Sequence, residues 1–399
     1  MVMRQTIATG EFLDSGDACE TAVQTVPLVE EQSFRRWQTD IPEQYRKLGI
    51  DELKERIAAA RAKLGRQVVV LGHHYQREDI IQFADVRGDS LMLAQWAARQ
   101  RDVPYIVFCG VHFMAESADI LTAPEQQVIL PNLAAGCSMA DMAAPRDVYR
   151  AWEALQRAGI DGIVPVTYIN SAAALKAFVG RNGGIVCTSS NAPAVLRWAL
   201  ERGKRVFFFP DQHLGRNTAV QLGISESEMT LWDYDWPFDD LGNNTVDRLA
   251  ASRIILWQGH CSVHARFTVA QIAKARAEYP NVRIVVHPEC SLDVVRAADC
   301  AGSTEFIARV VRESPPGSVW GVGTEINLVN RLQTENPDKI VFCLDPIFCP
   351  CSTMYRVHPA YLCWVLEELA EGRVVNRIKV DEETAHWARI ALDRMLQLG

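Results

Sequence analysis

Eleven cysteines stand in a chain of 399 residues: Cys19, Cys109, Cys137, Cys187, Cys261, Cys290, Cys300, Cys343, Cys349, Cys351 and Cys363. Three of them sit alike. Cys137 lies in AAGCSMADM, Cys261 in WQGHCSVH and Cys351 in CPCSTMYR; each follows an apolar run, and each is followed by a serine, Ser138, Ser262 or Ser352. Thiolates of this kind suit zinc or an iron–sulfur cluster. Three thiolates on a four-iron cluster leave one iron open to bind substrate as a Lewis acid. A single cysteine in a reducing compartment is usually a small buried hydrophobe, but three at equivalent places argue for ligation. No C-x2-C pair occurs, which argues against a zinc ribbon, and an odd, scattered set is not a disulfide framework. Cys349 and Cys351 are separated only by Pro350, so either can be the third ligand.

Two further clusters can move protons. His73, His74 and Tyr75 close one apolar run, and His287, Glu289 and Cys290 close another. A His–Glu pair at a strand end suits acid–base work, and a tyrosine there can donate to an oxyanion. A single histidine is more often a hydrogen-bonded core residue; polar clusters that end buried strands need a polar cavity to face. Asp89 with Ser90, Ser189 with Ser190, and Ser303 with Thr304 precede helical stretches. Such hydroxyls bind carboxylates or phosphates beside helix amides, and serve equally well as simple N-caps. Tyr168 and Asn170 offer planar polar contacts suited to an acid substrate, or ordinary turn chemistry. No Walker sequence and no G-x-G-x-x-G follows a strand, so a nucleotide site has no support.

The elements that must hold these residues are short apolar runs without alternation: VVVLGHHYQ, YIVFCGVHF, QVILPNLAAGC, IVPVTYINS, GGIVCTSSNAP, RVFFFPDQHLG, RIILWQGHC, RIVVHPECS, SVWGVGTEINL and KIVFCLDPIFCPC. Runs of this kind are strands buried on both faces. Helical stretches between them, such as SLMLAQWAARQ, predict a parallel α/β fold. The runs fall into three groups, each opening on a His- or Tyr-centred cluster and closing on a cysteine, a weak threefold repeat. We expect three similar αβα units with short parallel sheets, over residues 49–145, 146–262 and 263–352. An extension precedes them (1–48), an acidic and aromatic insertion near 222–250 interrupts the second, and a helical segment, 353–399, packs on the core. Trp232, Tyr234, Trp236 and Phe238 in the insertion read as a satellite hydrophobic cluster in preference to a lid. Ligands bind outside the carboxyl ends of parallel strands, so three units around a pseudo-threefold axis bring their clusters to one central cavity.

Composition sets the outer limits. Apolar residues make up 48% and charged residues 23%, and 41 Lys+Arg against 49 Asp+Glu leave a net charge of −8. That balance is globular and lacks the basic excess of a generic nucleic-acid binder. No apolar stretch is long enough for a membrane span, and the N-terminal residues lack a secretory core, so a cytoplasmic location is expected.

Together these segments resemble quinolinate synthases. The resemblance runs from VVVLGHHYQ to CPCSTMYR and rests on ordered motifs, among them GHHYQ, ADVRGDSLMLA, FCGVHFMAESADIL, TYINS, CTSSNA, FFPDQHLGRN, WQGHCSVH, VHPEC, GSTEF and GTEINLVNRL. It implies three α/β units around a pseudo-threefold axis and a [4Fe–4S] cluster with three cysteine ligands and one open iron. It implies condensation of iminoaspartate with dihydroxyacetone phosphate, with loss of phosphate and water, in de novo NAD biosynthesis. Motif by motif, the implied ligands are Cys137, Cys261 and Cys351. His73, Tyr75, His287 and Glu289 match acid–base positions, and Ser90, Tyr168, Asn170, Ser189, Ser303 and Thr304 match substrate contacts. L-Aspartate oxidase is the implied upstream partner. Two departures stand out: the third ligand region reads Cys343-x5-Cys349-x-Cys351 where C-x2-C-x2-C is common, and His74 replaces a common Asn. Other readings share the cysteines: a [4Fe–4S] hydro-lyase, a non-catalytic iron–sulfur sensor, and a zinc hydrolase.

Overall fold

A computed structural model describes residues 27–30, 41–347 and 350–398; Cys19, Cys349 and most of the expected extension lie outside the described residues. Among the described residues fourteen strands form three sheets. The first sheet holds β1 (Val68–His73), β2 (Val86–Gly88), β3 (Tyr105–Cys109) and β4 (Gln127–Ile129). The second holds β5 (Ile163–Tyr168), β6 (Ile185–Cys187), β7 (Arg205–Phe209), β8 (Met229–Trp232) and β9 (Ile254–Trp257). The third holds β10 (Arg283–Val286), β11 (Cys300–Ala301), β12 (Val319–Gly323) and β13 (Ile340–Cys343). β14 (Arg377–Ile378) joins the first sheet antiparallel to β4; every other pairing is parallel.

The three sheets share one topology. Their orders are β2-β1-β3-β4, β6-β5-β7-β9 and β11-β10-β12-β13, with β14 added outside β4 and β8 outside β9. In each, the second strand flanks the first, and the third and fourth follow on the other side. Helices cross between the strands, as parallel pairing requires. The unit thus repeats three times, and the strands without alternation are the buried ones: Val70, Ile106, Phe207, Phe208, Ile255 and Val285 are fully enclosed.

Four short strands were invisible to pattern reading, among them β14, which lies in the segment expected to be helical. β2 and β11 have only three and two residues and sit at sheet edges. β8 lies inside the stretch read as an insertion, pairing in register from Met229↔Ile254 to Trp232↔Trp257. Beyond it the aromatic residues do cluster: Tyr234 stacks on Trp257 at 5.3 Å and 3°, and Trp236 meets Phe238 edge-on at 5.2 Å. Phe238 itself remains 81% exposed.

Two of the short edge strands, β2 and β11, lead into helices with side-chain caps. Asp89 accepts the Met92 N–H at 2.9 Å to start Ser90–Arg99, and Ser303 accepts the Phe306 N–H at 3.3 Å to start Thr304–Arg312. Side-chain caps satisfy first-turn donors, and here they also fix where each strand end points. The C-terminal segment ties the units together. Pro359–Ala370 packs on Ile50–Leu64, where Glu367 takes two bonds from Arg56, 2.8 and 2.6 Å, and one from Tyr45, 2.7 Å. Glu382–Leu396 packs on Ala173–Arg181 of the second unit. Gly180 permits that approach, since a Cβ there would lie 2.0 Å from the Trp387 carbonyl oxygen. Among the described residues no helix is long and apolar enough to cross a membrane.

Candidate active site

The first strand of each sheet delivers one polar turn. β1 ends in His73, and the Tyr75 N–H donates back to His73 Nδ1 at 3.1 Å. After β10, the Glu289 N–H donates to His287 Nδ1 at 3.3 Å. The same His-X-acid/base turn therefore occurs twice, and β5 supplies Tyr168 and Asn170 at the third position. Because Nδ1 accepts, the proton of each neutral ring sits on Nε2, free to donate outward. Burial keeps both rings neutral: it drives His73 well below the usual imidazole range, and holds His287 at about 3 against the pull of Glu289.

A hydrogen-bond chain links the turns. The Tyr168 hydroxyl donates to Glu289 Oε1 at 2.7 Å, and His264 Nδ1 lies 2.8 Å from Glu289 Oε2. His264 Nε2 lies 3.1 Å from Thr324 Oγ1, which lies 2.7 Å from the Tyr75 hydroxyl. The His264 and His287 rings stack at 4.4 Å. Burial alone would raise the Glu289 carboxyl, yet the hydrogen bonds from His264 and Tyr168 hold it below the usual range. With Glu289 ionised, His264 donates through Nδ1, accepts from Thr324 through Nε2, and Thr324 accepts from Tyr75. Burial, reinforced by Glu289, pushes both tyrosines far above their ordinary range, so they remain donors.

One cavity of about 60 Å³ gathers most of these groups, with His264 and Thr324 behind its lining. It is lined by His73, Tyr75, Ser90, Cys137, Tyr168, Asn170, Ser189, Cys261, His287, Glu289, Thr304 and Cys351. Of the site residues expected from sequence, Ser303 alone falls outside this lining. It caps its helix and lines an adjoining cavity of about 680 Å³, which shares Asp89 and Ser189 with the first. His74 also turns away, its Nε2 3.0 Å from Glu305 Oε2. Sequence reading missed His264, three residues beyond Cys261, and Thr324, inside the GTEINL motif, although both motifs were in view. It also missed Phe113, Met114, Met139 and Met354, which give the cavity its apolar wall.

The three thiols share this cavity and feel one another. Burial pushes Cys137 up to about 12, with Cys351 adding to the rise; Cys261 lies well above its usual range through burial, Glu289 and the other two cysteines. Thiolates gathered in so buried a place need a positive centre, and a soft metal centre fits that donor set. Among the described residues the one group of candidate ligand atoms lying within 4.8 Å of one another is Cys261, His264 and Glu289, so the three sulfurs are more widely spread. A single zinc ion with Zn–S of ~2.3 Å would bring them to ~3.8 Å of one another. A cluster, which offers each thiolate a different iron, suits the wider spacing.

Comparison with known proteins follows the same lines. The family model described as quinolinate synthetase A protein matches residues 55–397. A quinolinate synthase of Corynebacterium glutamicum is 58% identical over 359 residues, covering 90% of this chain and 90% of its own. One of Geobacillus thermodenitrificans is 54% identical over 362 residues, covering 90% and 97%. One of Rhodopirellula baltica is 52% identical over 364 residues, covering 88% and 92%.

Proposed function

The chain belongs to the quinolinate synthetase A family and is an enzyme of quinolinate formation in NAD biosynthesis, and we propose that it condenses iminoaspartate with dihydroxyacetone phosphate inside the cavity described above. The observation that carries this reading is the meeting of three thiols, two His-X-acid/base turns and a ring of hydroxyls around one cavity. Cys137, Cys261 and Cys351 would hold a [4Fe–4S] cluster, one from each unit of the proposed threefold division. When bound, such a cluster supplies a Lewis-acidic iron at its free corner.

The protein groups have distinct tasks. Ser90, Ser189, Thr304 and Asn170 hold the carboxylates and phosphate through hydroxyl and amide hydrogens. The Nε2–H groups of His73 and His287, neutral because they are buried, donate to carbonyl or carboxylate oxygen without adding a charge. Glu289 is the ionised base for the carbon that becomes nucleophilic. Tyr75 donates to oxygen that departs as water, and Tyr168 orients Glu289. Exclusion of water by Phe113, Met114, Met139 and Met354 protects an imine reactant that hydrolyses in solution. The enzyme acts in the cytoplasm, supplied by L-aspartate oxidase.

An anaerobic count of iron and sulfide coupled to an assay of pyridine-2,3-dicarboxylate formation tests this. We expect about four irons per chain, little zinc, and product from the triose phosphate. Cys137→Ser, Cys261→Ser and Cys351→Ser should each lose cluster and activity, while Glu289→Gln keeps the cluster and loses activity by ~10²-fold or more. Stoichiometric zinc, or full activity in Glu289→Gln, would overturn the reading. A cluster without turnover would point to a sensor, and dehydration without phosphate release to a hydro-lyase.

A further inference from the structure

Two wholly buried carboxylates take no part in the chemistry above. Glu325 follows Thr324 just past β12, and Asp211 stands two residues past β7; both are 0% exposed. Among the described residues the hydrogen bonds to Glu325 all come from uncharged N–H groups. Its Oε2 accepts from the backbone N–H of Asn327 at 2.8 Å and of Leu328 at 3.4 Å, capping the helix Ile326–Glu335. Its Oε1 accepts from Asn327 Nδ2 at 2.8 Å and from the backbone N–H of Cys351 at 3.1 Å. Asn327 Nδ2 also lies 3.5 Å from the Tyr75 carbonyl oxygen.

A carboxylate buried with no cation among its hydrogen-bond partners is costly, though the Arg331 guanidinium acts on it through space. A helix cap alone does not explain it, because serine or aspartate caps as well. The longer glutamate does what a short cap cannot: one oxygen closes the helix while the other reaches a loop from elsewhere in the chain. That loop runs from the end of β13 at Cys343, and Pro350 before the cysteine has no N–H of its own to anchor it. The Cys351 amide thus ties this cysteine to Glu325 just past β12, while the Leu344 N–H ties the start of the segment to the Val322 carbonyl at 3.0 Å.

The other units solve the same problem at the same place. β7 and β12 occupy equivalent positions in their sheets. Asp211 caps Gln212–Gln221 through the Leu214 N–H at 2.6 Å, and the Gln212 N–H holds the Gly259 carbonyl at 2.9 Å, two residues before Cys261. In the first unit the helix His112–Leu121 begins without a side-chain cap, and the His112 N–H bonds the Ala135 carbonyl at 2.8 Å, two residues before Cys137. Each cysteine loop is therefore tied to the helix start that follows the third strand of its own unit.

We propose that Glu325 is the positioning residue of the third cysteine, fixing the Cys351 loop to the end of β12 so that its thiol faces the other two. This rests on the assignment of Cys351 as a ligand. The test compares wild type, Glu325→Gln, Glu325→Ala and Cys351→Ser after anaerobic reconstitution. It reads iron and sulfide per chain, the rate of iron loss to a chelator, and the melting temperature of each apoprotein. Outer partners of metal ligands are worth ~10–100-fold in metal affinity. We expect Glu325→Ala to lose iron ~10–100-fold faster than wild type. Glu325→Gln, which keeps one acceptor, should fall between, with an apoprotein melting temperature close to wild type. Wild-type iron retention in both Glu325 variants, with Cys351→Ser devoid of cluster, would overturn the positioning role alone. A full cluster in Cys351→Ser would instead overturn the ligand assignment on which it rests.

Discussion

At the scale of single residues, the site works by fixing where protons sit. The backbone amides of Tyr75 and Glu289 each occupy a histidine Nδ1, so two neutral imidazoles are compelled to present Nε2–H. Thr324 does comparable work for Tyr75, since its hydroxyl joins the phenol to His264 and through it to Glu289. Thr324→Val keeps the shape but removes the link. We expect kcat to fall ~10–100-fold with the iron content unchanged, and Thr324→Ser to recover most of it. Steady-state kinetics beside an iron count would check this, and a silent Thr324→Val would remove Thr324 from the chain. His73, Tyr75, His287 and Glu289 were legible in the sequence because ionisable groups clustered at the end of a buried apolar run must face a polar cavity. His264 was not, because a histidine three residues from a cysteine on a loop has no periodicity to betray it.

Elements matter here through their ends and their closeness. Strands without alternation announced a parallel fold, and the observed pairings are parallel except for β14. β2, β8, β11 and β14 escaped notice because two to four residues carry too little pattern to separate a strand from a loop. β8 also sits among acidic residues that read as an insertion; its pairing with β9 is decided by neighbours, not by its own propensity. The contact between Ala173–Arg181 and Glu382–Leu396 depends on the missing side chain of Gly180. Gly180→Ala should push the helices apart and cost about 1–3 kcal/mol, the usual range for overpacking. Denaturant unfolding would register it as a lower midpoint; no change would mean that the C-terminal helix can slide.

On the scale of the whole molecule, the seams between units carry the least expected features. Lys176 of the second unit is fully buried, its Nζ bonded to the Ser171 carbonyl, near Glu116 of the first unit and 5.5 Å from the Phe113 ring. Burial lowers its ammonium from 10.5 to about 8, against the pull of Glu116. The unfolded chain then holds more protons than the folded one between about pH 8 and 10.5, so this group makes stability rise with pH across that window. Relative to Lys176→Met, wild type should gain up to about 3 kcal/mol from pH 8 to 10.5; parallel pH profiles of the two proteins would contradict that. The core is extensive without any metal, with Trp257, Trp320 and Tyr361 wholly enclosed. The apoprotein should keep its α/β circular dichroism, and a random-coil spectrum after removal of iron would refute the expectation.

Residue type and order alone determined the class of fold and the repeat, and marked twelve of the residues that line one cavity, because burial on both faces and clustering of reactive groups leave marks along the chain. Which groups touch is another matter. That Ser303 faces the neighbouring cavity, that His264 and Thr324 bridge Glu289 to Tyr75, and that Glu325 reaches the Cys351 amide were decided by the tertiary structure. These contacts join residues up to hundreds of positions apart, and only the packing of three sheets sets a distance that no local period encodes.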